Sequence, residues 1–328
     1  MPHLANRATL IYNPYAGFWD WGDVVQRVAT FWQERGWEVR LQATDRPGHA
    51  TTLARDAAEA GHGLVLAAGG DGTLNEVANG LAGTQTVLAP LPVGTTNSFA
   101  KELGLPRPNL FQPNWFVDVS QHLVQGRIQQ VDLGKCDNGR YWLLWASTGV
   151  DGFVVKRVEP RPRWFKRLGA AGYAAKALFF LPSFQGLRAT VVVDDQVVEG
   201  DFLLVNVSNC RMFAGGELRL NDGALLDDGL FEVWLFRGKR WPTILRYTVE
   251  IGFESHRDDP NVQVFRGRYV AVKTEPSTPF HLDGEPVGDT PFACTLLPRA
   301  LRLLVPDCAP ADLFQQPGTP LALSQQVS

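Results

Sequence analysis

The feature that most constrains the fold is an apolar strand that runs into a glycine turn and then into a helix. Residues 64–68, Leu-Val-Leu-Ala-Ala, predict a buried strand, and Gly-Gly-Asp-Gly-Thr follows at 69–73. Thr73 and Glu76 have the spacing of a capping box, which marks a helix start. Apolar residues then recur on one helix face, at Leu74, Val77, Ala78 and Leu81.

This junction is suited to an anion, because a helix N-terminus presents unpaired N–H groups and the positive end of the helix dipole. Glycines let the backbone approach a ligand closely. Asp71 cannot bind phosphate directly, so its carboxylate indicates a bridging Mg²⁺ ion. The alternative is an ordinary strand-to-helix turn. The string matches neither the P-loop pattern nor G-x-G-x-x-G.

Strands alternate with helices over the first part of the chain. Residues 7–12, 37–41 and 87–91 predict three more strands around the one at 64–68. This alternation favours an α/β domain with a parallel sheet, whose ligands gather at the carboxyl ends of the strands. The polar residues at those ends are Asn13, Thr44, Asp71 and the loop 92–97.

The pattern changes near Asp132, where a series of strands begins. Turn signals between these strands predict an all-β sandwich, interrupted by a helical insertion over 151–181. We therefore predict an α/β domain at 1–130 and a β-sandwich domain at 131–305. The tail, 306–328, is rich in Gln, Pro, Ser and Ala and is predicted to be disordered.

Composition limits the classes of partner. A net charge of −3 over 328 residues argues against general nucleic-acid binding. The four cysteines are widely spaced, which indicates neither a zinc site nor a disulfide framework and fits a reducing cytosol. Neither a signal-peptide core nor a spanning apolar stretch is present. We expect a cytoplasmic protein, with any membrane contact peripheral to the inner face.

Gly-Gly-Asp-Gly-Thr followed by Leu-Asn-Glu-Val resembles the nucleotide-binding loop of the diacylglycerol kinase and sphingosine kinase family of lipid kinases. The Gly-Gly-Asp-Gly-Thr core is also shared with NAD kinases. Asn-Pro-x-Ala-Gly at 13–17, a Thr before Gly-His-Ala, and Gly-Thr-x-Asn at 94–97 extend the resemblance to the lipid branch. The two-domain architecture of that family extends it to about residue 305.

The resemblance implies ATP and Mg²⁺ as cofactors. The nucleotide contacts that it implies are Asn13, Gly17, Thr44, Gly69, Gly70, Asp71, Gly72, Thr73, Leu74, Asn75 and Thr95. Asp71 would meet the metal, and Asp132 would join the same network through water. One residue departs from the family pattern: Ser98 stands where an Asp usually follows Gly-Thr-x-Asn.

His-Leu-Asp-Gly-Glu-Pro at 281–286 contains the Asp-Gly-Glu string that supplies the general base in the family. A carboxylate there would accept the proton of the lipid hydroxyl during phosphoryl transfer. We favour Glu285 as the base, with Asp283 as the alternative. Without the resemblance, the same string predicts only a tight turn.

The loop 225–230 resembles the second, structural Mg²⁺ site of the family. Its ligands would be the Asp228 carboxylate and the carbonyls of Leu225 and Leu230. An Asp-Gly turn before a strand is an equal alternative. Asn221 stands where the family often has a proline, which weakens the metal assignment.

Residues 156–167 carry six basic side chains, and aromatic residues follow in 168–181. Such a segment, 156–181, can rest on an anionic membrane. Alternatively, Lys166 or Arg167 could neutralise ATP phosphates, or the charges could form a solvated face.

The first hypothesis is an ATP- and Mg²⁺-dependent kinase acting on a hydroxyl of diacylglycerol or a related lipid, with no nucleic-acid partner. The alternatives are an NAD kinase-like enzyme with a soluble acceptor and a non-catalytic nucleotide- or lipid-binding sensor. The sequence leaves open the acceptor, the choice of ATP or GTP, and the oligomeric state, for which a homodimer is one candidate.

Overall fold

The computed structural model describes residues 4–16, 21–94, 96–106, 115–158 and 169–321. The chain forms two compact units. The first comprises Met1–Leu133 and Pro298–Ser328, and the second comprises Gly134–Leu297. The second unit thus begins at Gly134, and the chain from Pro298 onward belongs to the first unit.

The first unit is built on a parallel sheet. Its elements are β1 (Arg7–Tyr12), α1 (Trp21–Gln33), β2 (Glu38–Ala43), α2 (His49–Glu59), β3 (Leu64–Gly69), α3 (Asp71–Leu81), β4 (Val87–Pro92), α4 (Ser98–Glu102) and α5 (Trp115–Val124). The strand order is β4-β3-β1-β2, and Arg302 and Leu303 of a later strand pair in parallel with the other side of β4. Every residue of β3 and β4 is buried, as expected for central strands covered by helices on both faces. The predicted parallel α/β fold is therefore observed.

The second unit is dominated by antiparallel strands. Its elements are β6 (Tyr141–Trp142), β7 (Trp145–Gly149), α6 (Val150–Val158), α7 (Gly169–Phe180), β8 (Leu187–Val193), β9 (Gln196–Ser208), β10 (Met212–Phe213), β11 (Leu218–Arg219), β12 (Phe231–Arg237), α8 (Pro242–Gly252), β13 (Val262–Gly267), β14 (Tyr269–Glu275), β15 (Pro279–Leu282) and β16 (Glu285–Asp289). Two strands, β5 (Arg127–Cys136) and β17 (Phe292–Val305), each run from one unit into the other.

The long strand β9 organises the second unit. Its first half pairs with β8, and its second half pairs with β7 on one side and β12 on the other. The core on this sheet contains Val191, Val205 and Val233, and the Trp142 and Phe231 rings stack at 4.9 Å between centroids. The helical insertion predicted at 151–181 contains α6 and α7; residues 159–168 lie outside the described part of the chain.

The prediction of a disordered tail is wrong for residues 306–321. Ala311–Leu313 form a 3-10 turn, Leu313 is buried, and β18 (Thr319–Pro320) pairs with β5. Composition suggested disorder because polar residues and proline dominate the segment. A few apolar side chains nevertheless bury enough surface to hold it on the first unit. Residues 322–328 lie outside the described part.

Within the described residues, no helix has both the length and the hydrophobicity needed to cross a bilayer.

Candidate active site

The glycine turn lies where the ends of four parallel strands are aligned. Tyr12 pairs with Ala43 on one side and Ala68 on the other, and Gly69 pairs with Pro92. Asn13 and Thr44 directly follow β1 and β2, so the predicted polar residues share the carboxyl edge of the sheet. This is the edge at which doubly wound folds bind ligands.

Helix α3 begins at Asp71, with Gly70 as its N-cap, so the predicted capping box of Thr73 and Glu76 is wrong. Glu76 instead serves the neighbouring helix: its carboxylate accepts the N–H groups of Gly48 and Ala50 at 2.8 and 3.0 Å. These are unpaired donors at the N-terminus of α2. Helix α3 starts before the predicted position because glycine can occupy the N-cap. Glu76 therefore lies more than one turn inside the helix, too far from its N-terminus to cap it.

Two glycine turns touch each other at this edge. A Cβ on Gly94 would lie 2.5 Å from the Gly70 Cα and 2.8 Å from Asn97 Oδ1. Asn97 has a left-handed backbone, with φ 52°, and its Nδ2 donates to the Gly94 carbonyl at 2.8 Å. The backbone groups of both turns therefore approach a common pocket, lined among others by Gly69, Asp71 and Asn97.

Asp71 lines this pocket, and its carboxylate is held by hydrogen bonds. Its Oδ1 accepts the N–H of Phe99 at 3.2 Å, and Ser98 adds backbone and side-chain hydrogen bonds. Burial raises the pKa of Asp71, while these hydrogen bonds and the charge of Lys101 oppose the rise. Ser98, the departure from the family pattern, thus contacts Asp71 directly and helps to order it.

Two side chains that line this pocket, Asp71 and Asn97, offer oxygen atoms that would suit a magnesium ion. The Asn97 Oδ1 atom is buried and has no hydrogen-bond partner among the described residues, and it lines the same pocket as the desolvated Asp71 carboxylate. Oxygen atoms of carboxylates and amides are the ligands that Mg²⁺ prefers. Asn97 belongs to the Gly-Thr-x-Asn motif but was not predicted as a ligand.

The other implied nucleotide residues take different positions. Gly72 lies in the first turn of α3, and Thr44, Thr73, Leu74 and Asn75 are largely buried. The Asn13 side chain closes its own turn, since Oδ1 accepts the N–H of Tyr15 at 2.9 Å. Gly17 and Thr95 lie outside the described residues.

Asp132 is fully buried on β5, and its Oδ1 accepts the N–H of Arg299 at 2.7 Å. Arg299 has a left-handed backbone, φ 53°, which this bond stabilises. Asp132 therefore supports a bend in β17, and its water-mediated link to Asp71 stays a prediction.

In the second unit, Asp283 and Gly284 form the two-residue turn between β15 and β16, both with positive φ. The Asp283 carboxylate accepts three backbone N–H groups, from Leu143, Leu144 and Trp145, at 2.8–3.1 Å. Both of its oxygens are thus used to anchor the segment before β7. Asp283 has a structural role that Glu285 does not share.

Glu285 is half-exposed and pairs with Arg140, whose Nη2 lies 2.6 Å from Oε2. Behind the turn, the buried His281 accepts the N–H of Gly284 on Nδ1 at 3.1 Å, and its Nε2 lies 2.9 Å from Asp151 Oδ2. Arg140, His281 and Asp151 were not predicted as site residues. His281 adjoins the Asp-Gly-Glu string, but Arg140 carried no sequence signal.

The loop 225–230 does not fit a divalent cation as it stands. Asp228 Oδ1 accepts the N–H of Leu230 at 3.1 Å, and its Oδ2 contacts the guanidinium of Arg266. Arg266 also reaches Glu232, whose pKa is raised to about 7 by burial and by the charge of Asp228. Asp228 is the only carboxylate in the predicted ligand set, which also contains the carbonyls of Leu225 and Leu230. This carboxylate is already in contact with a positive charge.

The basic segment is described only in part, since residues 159–168 lie outside the described chain. Lys156 pairs with Asp289 at 2.9 Å, and the Arg157 guanidinium stacks on Phe153. Further along, Leu178 and Phe179 on α7 are 54% and 78% exposed.

Two family models match this chain. The diacylglycerol kinase catalytic domain matches residues 7–136, and the YegS C-terminal NAD kinase beta sandwich-like domain matches residues 145–305. The chain belongs to the diacylglycerol kinase and YegS family of lipid kinases. The predicted fold class, an α/β domain followed by a β-sandwich, is confirmed.

Named relatives agree with this assignment. A diacylglycerol kinase of Bacillus subtilis strain 168 is 29% identical over 302 residues, which cover 92% of this chain and 96% of that protein. The "Probable lipid kinase YegS" of Shigella boydii is 29% identical over 283 residues, 84% of this chain and 89% of that protein. A diacylglycerol kinase crystal structure from Bacillus anthracis str. Sterne shares the fold, with a TM-score of 0.69, 21% identity and coverage of 93% and 98%.

Proposed function

We propose that this kinase transfers the γ-phosphoryl group of ATP, with Mg²⁺, to a hydroxyl of diacylglycerol or a related lipid. The observation that carries the proposal is the Asp71 carboxylate, placed at the first residue of α3 beside two touching glycine turns. The N–H groups of the turns would cradle the phosphates, and the helix dipole would favour their charge. When bound, Mg²⁺ neutralises charge on the transferring phosphoryl group.

Glu285 is the proposed general base. Its carboxylate accepts the proton of the lipid hydroxyl as the hydroxyl oxygen forms a bond to the γ-phosphorus. The bond from that phosphorus to the β–γ bridging oxygen breaks, and ADP leaves. Glu285 suits this role better than Asp283, because Asp283 uses both oxygens to accept backbone N–H groups, whereas Glu285 is partly open to solvent.

The test is phosphate transfer from γ-labelled ATP with Mg²⁺. The acceptors are diacylglycerol, monoacylglycerol, sphingosine, ceramide, phosphatidylglycerol and NAD, the lipids presented in mixed micelles. We expect a labelled lipid that Glu285→Gln reduces by about 10²–10⁴-fold while nucleotide binding persists. Asp71→Asn should weaken binding of MgATP as well. Glu59→Gln, at the end of α2, is the control.

Two outcomes would contradict the proposal. Labelled NADP in place of a lipid would identify a soluble acceptor. Nucleotide binding without any labelled product would favour a non-catalytic sensor.

We also propose that α7 contacts an anionic membrane surface, supported by the exposed side chains of Leu178 and Phe179. Replacing both by serine should reduce co-sedimentation with phosphatidylglycerol vesicles. The matched control replaces Val197 and Val264, which are similarly exposed on strands of the same unit. Equal losses from both pairs would contradict a specific role for α7.

A further inference from the structure

The loop that the resemblance assigns to a structural cation lies against an ionic network centred on Arg266, whose own side chain is 48% exposed. The guanidinium of Arg266 contacts Asp228 through Nη2 and Glu232 through Nε, the latter at 3.2 Å. The two carboxylate side chains are only 6% and 4% exposed. One guanidinium thus joins two carboxylates that are almost completely removed from water.

The sheet holds this arginine in place. Glu232 on β12 and Arg266 on β13 are direct cross-strand partners in an antiparallel pair, so their side chains lie on the same face. Asp228 reaches the same guanidinium from the loop that precedes β12. A guanidinium suits this position because it stays charged and presents several N–H donors in a rigid planar fork.

The two buried carboxylates can both stay ionised only beside a positive charge, because an uncompensated buried charge is strongly destabilising. A divalent cation is one solution, and an arginine is another. Here the arginine is in contact with both carboxylates. A divalent ion bound to Asp228 would have to displace the guanidinium or lie beside it against charge repulsion.

Asn221, the residue that departs from the family pattern, extends the network. Its Oδ1 accepts the N–H of Gly223 at 3.1 Å and Nη2–H of Arg257 at 3.2 Å, and its amide group lies beside Glu232. A proline at this position could make none of these side-chain contacts. Asn221 and Arg266 therefore belong to the same polar network.

We propose that Arg266, by bridging Asp228 and Glu232, does in this chain what the resemblance assigns to a structural divalent cation. The second unit is then stable without such an ion. This inference concerns folding and does not rest on the proposed kinase reaction.

The test is thermal unfolding of the full chain, without nucleotide, in EDTA and in excess Mg²⁺. The wild-type midpoint should be the same in both. Arg266→Met should lower the midpoint in EDTA by roughly 5–10 °C, because it leaves two buried carboxylates unpaired. Added Mg²⁺ should restore part of the loss, and the further change Asp228→Asn should abolish that response. Arg219→Met, which removes an exposed pair with Asp222, is the control.

The proposal would be overturned if the unfolding midpoint of the wild type fell in EDTA and recovered with Mg²⁺. The Asp71→Asn variant must show the same response, because this excludes Mg²⁺ binding at the pocket that Asp71 lines. An Arg266→Met midpoint equal to that of the control would also overturn it. If Arg266→Met does not fold, Arg266→Lys retains the charge without the fork. Its midpoint should lie below that of the wild type in EDTA; a midpoint equal to that of the wild type would contradict the bridging role.

Discussion

The guanidinium of Arg140 holds the carboxylate of Glu285, with Nη2 2.6 Å from Oε2, although the two residues are 145 positions apart in the chain. Both side chains are partly exposed, so the pair contributes little to stability. Its consequence is the orientation of the proposed base. We therefore predict that Arg140 is a positioning residue.

Replacing Arg140 by alanine should lower kcat for the lipid by about 10-fold and leave the KM for ATP unchanged, because only the base loses its orientation. Arg140→Lys should recover part of the rate. Steady-state kinetics on both substrates checks this. The control is Lys156→Ala, which breaks an ion pair of similar exposure with Asp289. Equal kcat values for the two alanine variants would contradict the positioning role.

Asp283 and Glu285 should separate into a structural and a catalytic role. Asp283→Asn should lower the free energy of unfolding by about 2–3 kcal/mol, since an amide cannot accept all three N–H groups. Glu285→Gln should change it by less than about 1 kcal/mol while abolishing most turnover. Urea unfolding and the transfer assay provide both measurements. If Asp283→Asn were as stable as the wild type and lost more activity than Glu285→Gln, Asp283 rather than Glu285 would be assigned as the base.

Gly94→Ala should separate the two glycine turns, because the new Cβ would lie 2.5 Å from the Gly70 Cα. We expect ATP affinity to fall by about 10-fold or more, measured by calorimetry. Gly252→Ala is the control: beyond its neighbours in α8, no atom of the described residues lies within 4 Å of its Cβ position, and α8 should gain up to about 1 kcal/mol of stability. Unchanged ATP affinity in Gly94→Ala would exclude this turn from the nucleotide site.

His62 should make the first unit sensitive to mild acid. Burial lowers its pKa, with Arg7 and Arg40 adding to the effect, and its Nδ1 lies 2.7 Å from Thr9 Oγ1. The neutral ring is favoured in the folded state, so its contribution is complete above the ordinary value of 6.5 and is lost as the pH falls through the lower folded pKa. Urea unfolding between pH 7.5 and 5.5 should show a shallower decline for His62→Gln than for the wild type. Identical declines would contradict this role.

The parts of the fold that were predicted correctly are local in the chain. The strand at 64–68, the following helix and the alternation of strands and helices depend on hydrophobic periodicity and on glycine turns. The turn at Asp283 and Gly284 could likewise be predicted, because these two residues readily adopt positive φ. Polar residues at the carboxyl ends of neighbouring strands were expected to converge because parallel strands end at one edge.

The errors concern partners distant in the chain. Glu76 had the spacing of a capping box, but its carboxylate binds the N-terminus of α2, 26 and 28 positions earlier. The tail had a disordered composition, yet Leu313 is buried and β18 pairs with β5, almost two hundred residues away. Local patterns contain no information on which distant group competes for a hydrogen bond.

The sequence by itself therefore determined the family, the two-domain order and the positions of the glycine turn and the Asp-Gly-Glu turn, because short-range spacing specifies these features. Only the tertiary structure decided which groups surround each carboxylate. It placed Ser98 and Phe99 on Asp71, Arg140 on Glu285, and Arg266 on Asp228. The reason is physical. The energy of interaction between two charges depends on the distance between them and on how deeply they are buried. Both are set by packing between segments that lie far apart in the chain.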